Sequence, residues 1–297
     1  MKPRLIILSA ILALSAAALY YAQRHKTDNK VGAEGVLNAL ADTQREMSRV
    51  PAELTRVSDE EEIRIGNGMA ENYVARFSRM GTDDTAMQSY VTTVGIIVSG
   101  RARRKLPYQF HYIPDPSFIN AFALPGGHVF IGKGLIQLMK SEDEMAAVLG
   151  HELEHIDDYH CVERVQVQAQ LRKLPLGELI GLPIEIFQAG YNKEQELEAD
   201  RDGTYLAVMA GYSASGAIHV FETFEKLHRE YITKAESPDQ ELSQVAIQVL
   251  AGYFRSHPLP QEREAQIQHL IAARKWPERP EKALRVLPQT AKTAMVQ

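Results

Sequence analysis

The stretch Leu149-Gly150-His151-Glu152-Leu153-Glu154-His155 decides how this chain is read. It has the form H-E-x-x-H. Residues four apart share one face of an α-helix, so His151 and His155 can offer two imidazole nitrogens to one metal ion. Glu152 lies at the edge of that face, where its carboxylate can reach a water on the metal. Metal-assisted hydrolysis needs this set: neutral nitrogen ligands, an open coordination position and a nearby base. Three fixed letters in five also arise by chance, so the context matters. Ser141-Glu142-Asp143-Glu144 reads as a capping box, with Ser141 at the N-cap and Glu144 at N3. Met145, Ala146, Val148, Leu149, Leu153 and Ile156 continue at helical spacing. The motif therefore sits on a predicted helix, expected to run past Gln170. His160, five residues after His155, is a conceivable fourth ligand, but on one helix that spacing rotates it off the ligand face.

The 297 residues allow one large domain or two small ones, and the 45% apolar fraction is ordinary for a chain that buries a core. A net charge of -5 provides no basic footprint, which excludes nucleic acid as the expected partner. The single cysteine, Cys161, can form neither an internal disulfide nor a CxxC site. At the N-terminus, Lys2 and Arg4 precede an apolar run from Leu5 to Ala22, about as long as the shortest membrane-spanning helices. Ser15-Ala16-Ala17-Ala18 resembles a signal-peptide cleavage site, whereas Arg24, His25 and Lys26 suit a retained anchor. Residues 1–26 are expected to be one or the other, with membrane association possible through this segment. Residues 27–54 read as a linker, 55–275 as the functional domain and 276–297 as a loosely structured tail.

Within the domain, Ser58-Asp59-Glu60-Glu61 opens a predicted helix to about Met80. Its acidic run is read as a first-turn charge pattern. A second helix should end near Gly100. The cluster Arg101, Arg103, Arg104 and Lys105 is read as a solvated helix end. Tyr108–Ile113 alternates as a strand does. Phe118–Leu124, the turn Pro125-Gly126-Gly127 and His128–Ile131 read as a hairpin whose edge could pair with an extended peptide. Asn192 and Gln195 cap a later helix that stops at Gly211. Glu196 and Asp200 lie four apart near its start. Glu196 could be a third ligand, and Asp200 could accept the second N–H of a ligand histidine. Glu194 and Glu198 are read as acids that favour the helix N-terminus. His257, in a proline-rigid turn, and Arg263 could stabilise an oxyanion or orient the site. Spacing alone makes each an ordinary surface residue.

Four pieces in this order resemble a known family: Asn120-Ala121-Phe122-Ala123-Leu124-Pro125-Gly126-Gly127, His151–His155, Glu196-Leu197-Glu198-Ala199-Asp200 and Ser256-His257-Pro258. The chain is similar to gluzincin peptidases of the CAAX prenyl protease, HtpX and BepA type. That resemblance implies an α+β, mainly helical, zincin-type fold with a small sheet beside the active-site helix. It implies one Zn2+ per subunit held by His151, His155 and Glu196, with Glu152 as general base and Asp200 behind the ligands. It points to His257 and Arg263 as polar groups near the metal. Asn120, Ala121, Phe122, Ala123 and Gly127 would form the edge that receives substrate. The expected activity is zinc-dependent endopeptidase action on protein or peptide substrates. The exported bacterial members suggest misfolded or unassembled envelope proteins and a periplasmic or periplasm-facing location. A zinc-bound chaperone with a closed cleft is the alternative. Glu154 departs from the family, where a small residue is common.

Overall fold

The computed structural model describes residues 57–77, 84–173, 175, 180, 187, 190–235 and 260–285, all within one compact unit, Arg49–Gln297. The fold is α+β and mainly helical, as expected. Its sheet has three strands: β1 (Gln109–Ile113), β2 (Ala121–Leu124) and β3 (His128–Gly132). The order is β1-β3-β2, with β3 antiparallel to β2 and parallel to β1. The predicted hairpin is present, and its tight turn needs Gly126 at φ 77, a conformation that a side chain disfavours. β1's parallel pairing to the far arm of that hairpin was not legible from its alternation alone.

Both faces of the sheet are covered. Ala121, Ala123, Val129 and Ile131 point into one core, shared with α2 (Thr85–Ser99) and α4 (Glu142–Asp157). Phe122, Leu124 and Phe130 alternate to the other face, where they meet Ile65, Met69, Tyr73 and Phe77 of α1 (Asp59–Phe77). Strand side chains alternate with period two, so a fully apolar strand such as β2 must be buried on both sides. A short α3 (Lys133–Ile136) leads from β3 towards α4.

α4 is the central helix, and every one of its residues is buried. Its many acids must therefore be paired, because an uncompensated buried charge is costly. Ser141 caps the helix, its Oγ accepting from the Glu144 N–H at 3.2 Å. Glu142 accepts from Tyr90 Oη at 2.8 Å and Tyr212 Oη at 3.1 Å. Asp143 accepts the backbone N–H of Ser213 and of Lys282. Asp157 accepts from the Arg103 and Arg104 backbone and from Tyr108 Oη.

Four expectations are corrected here. The motif helix does not run past Gln170. It ends at Asp157, Tyr159 turns left-handed at φ 64, and α5 (His160–Arg172) sets off anew. The basic cluster is no solvated end. Arg104 is buried and pairs with Glu62 at 2.5 Å and Asp59 at 2.7 Å, while Arg103 pairs with Glu154 at 2.9 Å. Glu62 is more than a first-turn charge, since it also accepts the Gly126 N–H and so anchors the hairpin turn to α1. The segment after Trp276 is docked through residue 285. Glu142 N donates to Lys282 O at 2.8 Å, and Ser141 bridges to Ala283. The stretch Leu242–Phe254, whose apolar spacing reads as a further helix, lies outside the described residues.

Candidate metal centre

Four helices build the site. α6 (Lys193–Met209) begins with the full Asn192–Gln195 capping box, which places Glu196 and Asp200 in its first turns facing α4. The helices cross at glycine. A Cβ on Gly203 would stand 2.6 Å from the His151 backbone nitrogen, and one on Gly150 would stand 2.6 Å from the Gly203 carbonyl oxygen. No side chain fits between them, so the two backbones touch just where the motif begins. α7 (Ser215–Ala235) and α8 (Pro260–Arg274) close the site from the other side.

At this crossing His151, His155 and Glu196 converge, with one ligand atom from each within 4.8 Å of the others. The two Nε2 atoms are 3.1 Å apart. The Glu196 oxygens stand 3.6 Å from His151 Nε2 and 3.8 Å from His155 Nε2. Donors at zinc bond lengths in tetrahedral array stand about 3.3 Å apart. The spacing and the chemistry of this donor set, two imidazoles and a carboxylate, suit such an ion.

Behind the donors, His151 Nδ1 lies 2.9 Å from Asp200 Oδ1. Burial alone would lower the His151 pKa, but the hydrogen bond and charge of Asp200 outweigh it and raise it. A bound cation would act the other way, since only neutral imidazole ligates. Arg263 grips Asp200 with two contacts, Nε to Oδ2 at 2.6 Å and Nη2 to Oδ1 at 2.7 Å, and its Nη2 reaches Glu196 Oε2 at 3.3 Å. Burial would raise the Asp200 pKa, but the guanidinium holds it well below the usual carboxylate range. Arg263 therefore stands on the acids that serve the histidines.

Glu152 is buried and lines a cavity with His151, Asp200, Thr204 and Arg263. The opposite wall is apolar: Ala147, Val148, Ala217, Val220 and Phe221. Glu154 neither crowds this cavity nor adds charge to it. It sits away from the cavity on Arg103, and burial pushes its carboxyl up to about 8. Among the expected edge residues, Asn120, Ala121, Phe122 and Ala123 are buried, and β2 ends the sheet with no further strand beside it among the described residues. Gly127, at φ 111, packs against Pro107. His257 lies outside the described residues.

Two groups have roles that the sequence does not announce. Tyr191 stacks on the His155 ring, with centroids 3.8 Å apart at 16°. Its other neighbours include the Arg164 guanidinium, 3.7 Å from the ring centroid, and Cys161 Sγ, 3.2 Å from the hydroxyl. His160 lies against the far nitrogen of His155. Nothing in the spacing of Tyr191 signals its role. His160 is visible in the sequence, but its direction depends on the break at Tyr159.

Two histidines one helical turn apart, with a glutamate delivered by a second helix, form a group that could hold a metal ion in the pattern metallopeptidases use. Comparison with known proteins agrees. The model of peptidase family M48 matches residues 86–181 and 174–271. The chain belongs to peptidase family M48. It is 28% identical over 202 residues to a putative beta-barrel assembly-enhancing protease of Vibrio cholerae, covering 61% of this chain and 38% of that protein. The beta-barrel assembly-enhancing protease of Escherichia coli K12 is 25% identical over 205 residues, 62% of this chain and 38% of its own. The mitochondrial metalloendopeptidase OMA1 of Arabidopsis thaliana is 32% identical over 123 residues, 39% of this chain and 25% of its own. The chain thus spans well under half the length of these relatives. No helix among the described residues is long and apolar enough to cross a membrane. The run from Leu5 to Ala22 lies outside them.

Proposed function

We propose that this chain is a zinc-dependent endopeptidase whose domain, residues 55–275, cleaves misfolded or unassembled proteins of the cell envelope on the periplasmic side. The observation that carries the reading is the convergence of His151 Nε2, His155 Nε2 and a Glu196 oxygen within 4.8 Å. The names of the assembly-enhancing relatives support the envelope assignment.

His151, His155 and Glu196 would hold the zinc, which when bound supplies Lewis acidity that polarises a peptide carbonyl and acidifies a water. Glu152, in the cavity beside His151, would take a proton from the attacking water and later give it to the leaving amine. Asp200 keeps the proton of His151 on Nδ1, leaving Nε2 free to ligate. Arg263 keeps Asp200 ionised and in place. The apolar wall of Val220 and Phe221 excludes water and accepts an apolar side chain. The β2 edge, Asn120–Ala123 with Gly127 at its turn, would pair with the extended substrate backbone. His257 would join the site from its turn as a polar group for the oxyanion.

The test is Glu152→Gln in the full chain. It is expected to retain one zinc per subunit and lose cleavage of an unfolded substrate such as casein. Chelator should abolish cleavage by the wild-type protein. Casein cleavage retained by Glu152→Gln would refute Glu152 as the base, and metal-free protein of full activity would refute the zinc reading.

A further inference from the structure

An imidazole that ligates through one nitrogen carries its proton on the other, and the partner of that second nitrogen sets the tautomer and the ring's orientation. His151 has Asp200 for this. Behind His155 a second imidazole, that of His160, stands at this nitrogen. His155 Nε2 lies 3.1 Å from that of His151, so His155 Nδ1 points backwards, where it meets His160 Nδ1 at 3.0 Å. Two ring nitrogens at that distance need a single proton between them. Ligation through Nε2 puts that proton on His155 Nδ1, so His160 Nδ1 must accept it and His160 must carry its own proton on Nε2. That Nε2 faces Glu198 Oε2 at 3.6 Å, from a side chain that is 38% exposed.

We infer that His160 is a positioning residue. It accepts the His155 Nδ1–H, faces Glu198 with its own Nε2–H, and so holds His155 in the tautomer and orientation that ligate through Nε2. The inference rests on the metal-centre reading above. Two further observations support it. Stacking on Tyr191 sets the plane of the His155 ring, but a half-turn about Cβ–Cγ would keep that plane and exchange Nδ1 for a carbon. A hydrogen-bond partner on Nδ1 separates the two orientations before any metal binds, and His160 is placed to act as one. The chain also accepts a left-handed non-glycine residue, Tyr159 at φ 64, immediately before His160. Without that reversal, helical spacing would carry His160 away from His155. Glu198, read from the sequence as a helix-terminal acid, places one carboxylate oxygen 3.6 Å from His160 Nε2.

The experiment measures zinc affinity of the full chain by competition with a chromophoric chelator. His160→Ala should weaken binding about 10–100-fold, the usual cost of losing such a partner. His160→Asn, whose amide oxygen can accept where Nδ1 does, should restore most of it. In zinc-loaded wild-type protein with 15N-labelled histidine, the ring signals should show His155 protonated on Nδ1 and His160 on Nε2, a readout that needs no variant to fold. Wild-type affinity in His160→Ala, equal losses in both variants, or a proton on His160 Nδ1 would each overturn the inference while leaving the metal centre intact. A wild-type protein that binds no zinc would instead remove the metal-centre reading, and this inference with it.

Discussion

The contact between Gly150 and Gly203 offers the sharpest test of how packing makes the site. Gly203→Ala would place a Cβ 2.6 Å from the His151 backbone nitrogen, about 0.8 Å short of the 3.4 Å where ordinary contact begins. The obstructing atoms are helix backbone, so no rotamer change relieves the clash. α4 and α6 must separate. Asp200, one turn before Gly203 on the same helix, would be carried with it. A shift of that size takes the 2.9 Å His151–Asp200 contact to about 3.7 Å, beyond hydrogen-bonding range. Overpacking of this kind costs about 1–3 kcal/mol. At about 2–4 °C per kcal/mol for a domain of this size, a clear fall in melting temperature is expected. Loss of the His151 partner should also weaken zinc about 10–100-fold. Calorimetry and chelator competition would measure the two effects. Gly100→Ala is the control, because a Cβ there meets its nearest neighbour at 3.4 Å, at φ -59. It should change stability by no more than about 0.5 kcal/mol. If Gly203→Ala melted like the wild type and bound zinc as tightly, the claim that helix contact positions the ligand set would be wrong.

Arg263→Ala should destabilise the fold by about 3–5 kcal/mol, since it strands the buried Asp200 carboxylate. Arg263→Lys should recover little, because one ammonium cannot reproduce a two-pronged grip; urea unfolding that ranks lysine equal to arginine would contradict this. A second prediction concerns acid stability, through the buried pair His111 and His128, 3.0 Å apart, with His128 reaching Asn67 at 2.8 Å. Burial lowers both pKa values from 6.5 to about 4, His111 also through its histidine neighbour. Both rings are thus neutral in the folded protein, and between these limits the unfolded chain binds more protons. The stability is complete above pH 6.5 and is lost as pH falls towards 4, by at most about 3 kcal/mol for the well-buried His128. His128→Asn should flatten the dependence of the urea midpoint on pH over that window, and parallel profiles for variant and wild type would exclude the mechanism.

The sequence by itself was enough for the start of the motif helix, its cap at Ser141, the hairpin turn at Pro125-Gly126-Gly127 and the capping box at Asn192. All of these are local. Period and capping chemistry act within a few residues, so they can be read from a string of letters. The candidate ligands were legible too, because ligand chemistry restricts the choice to a few residue types at helical spacing. What the tertiary structure alone decided involves partners far apart along the chain. Glu62 and Arg104 looked like surface charges, yet they are buried and paired across 42 residues. Arg263 reaches Asp200 across 63 residues. On one straight helix His160 would face away from His155, and a single left-handed residue at Tyr159 turns it back. Burial and pairing depend on which elements come into contact, and neither composition nor periodicity records this. The contact of α4 with α6 through two glycines therefore had to be seen, not inferred, before the three donors could be placed on one point.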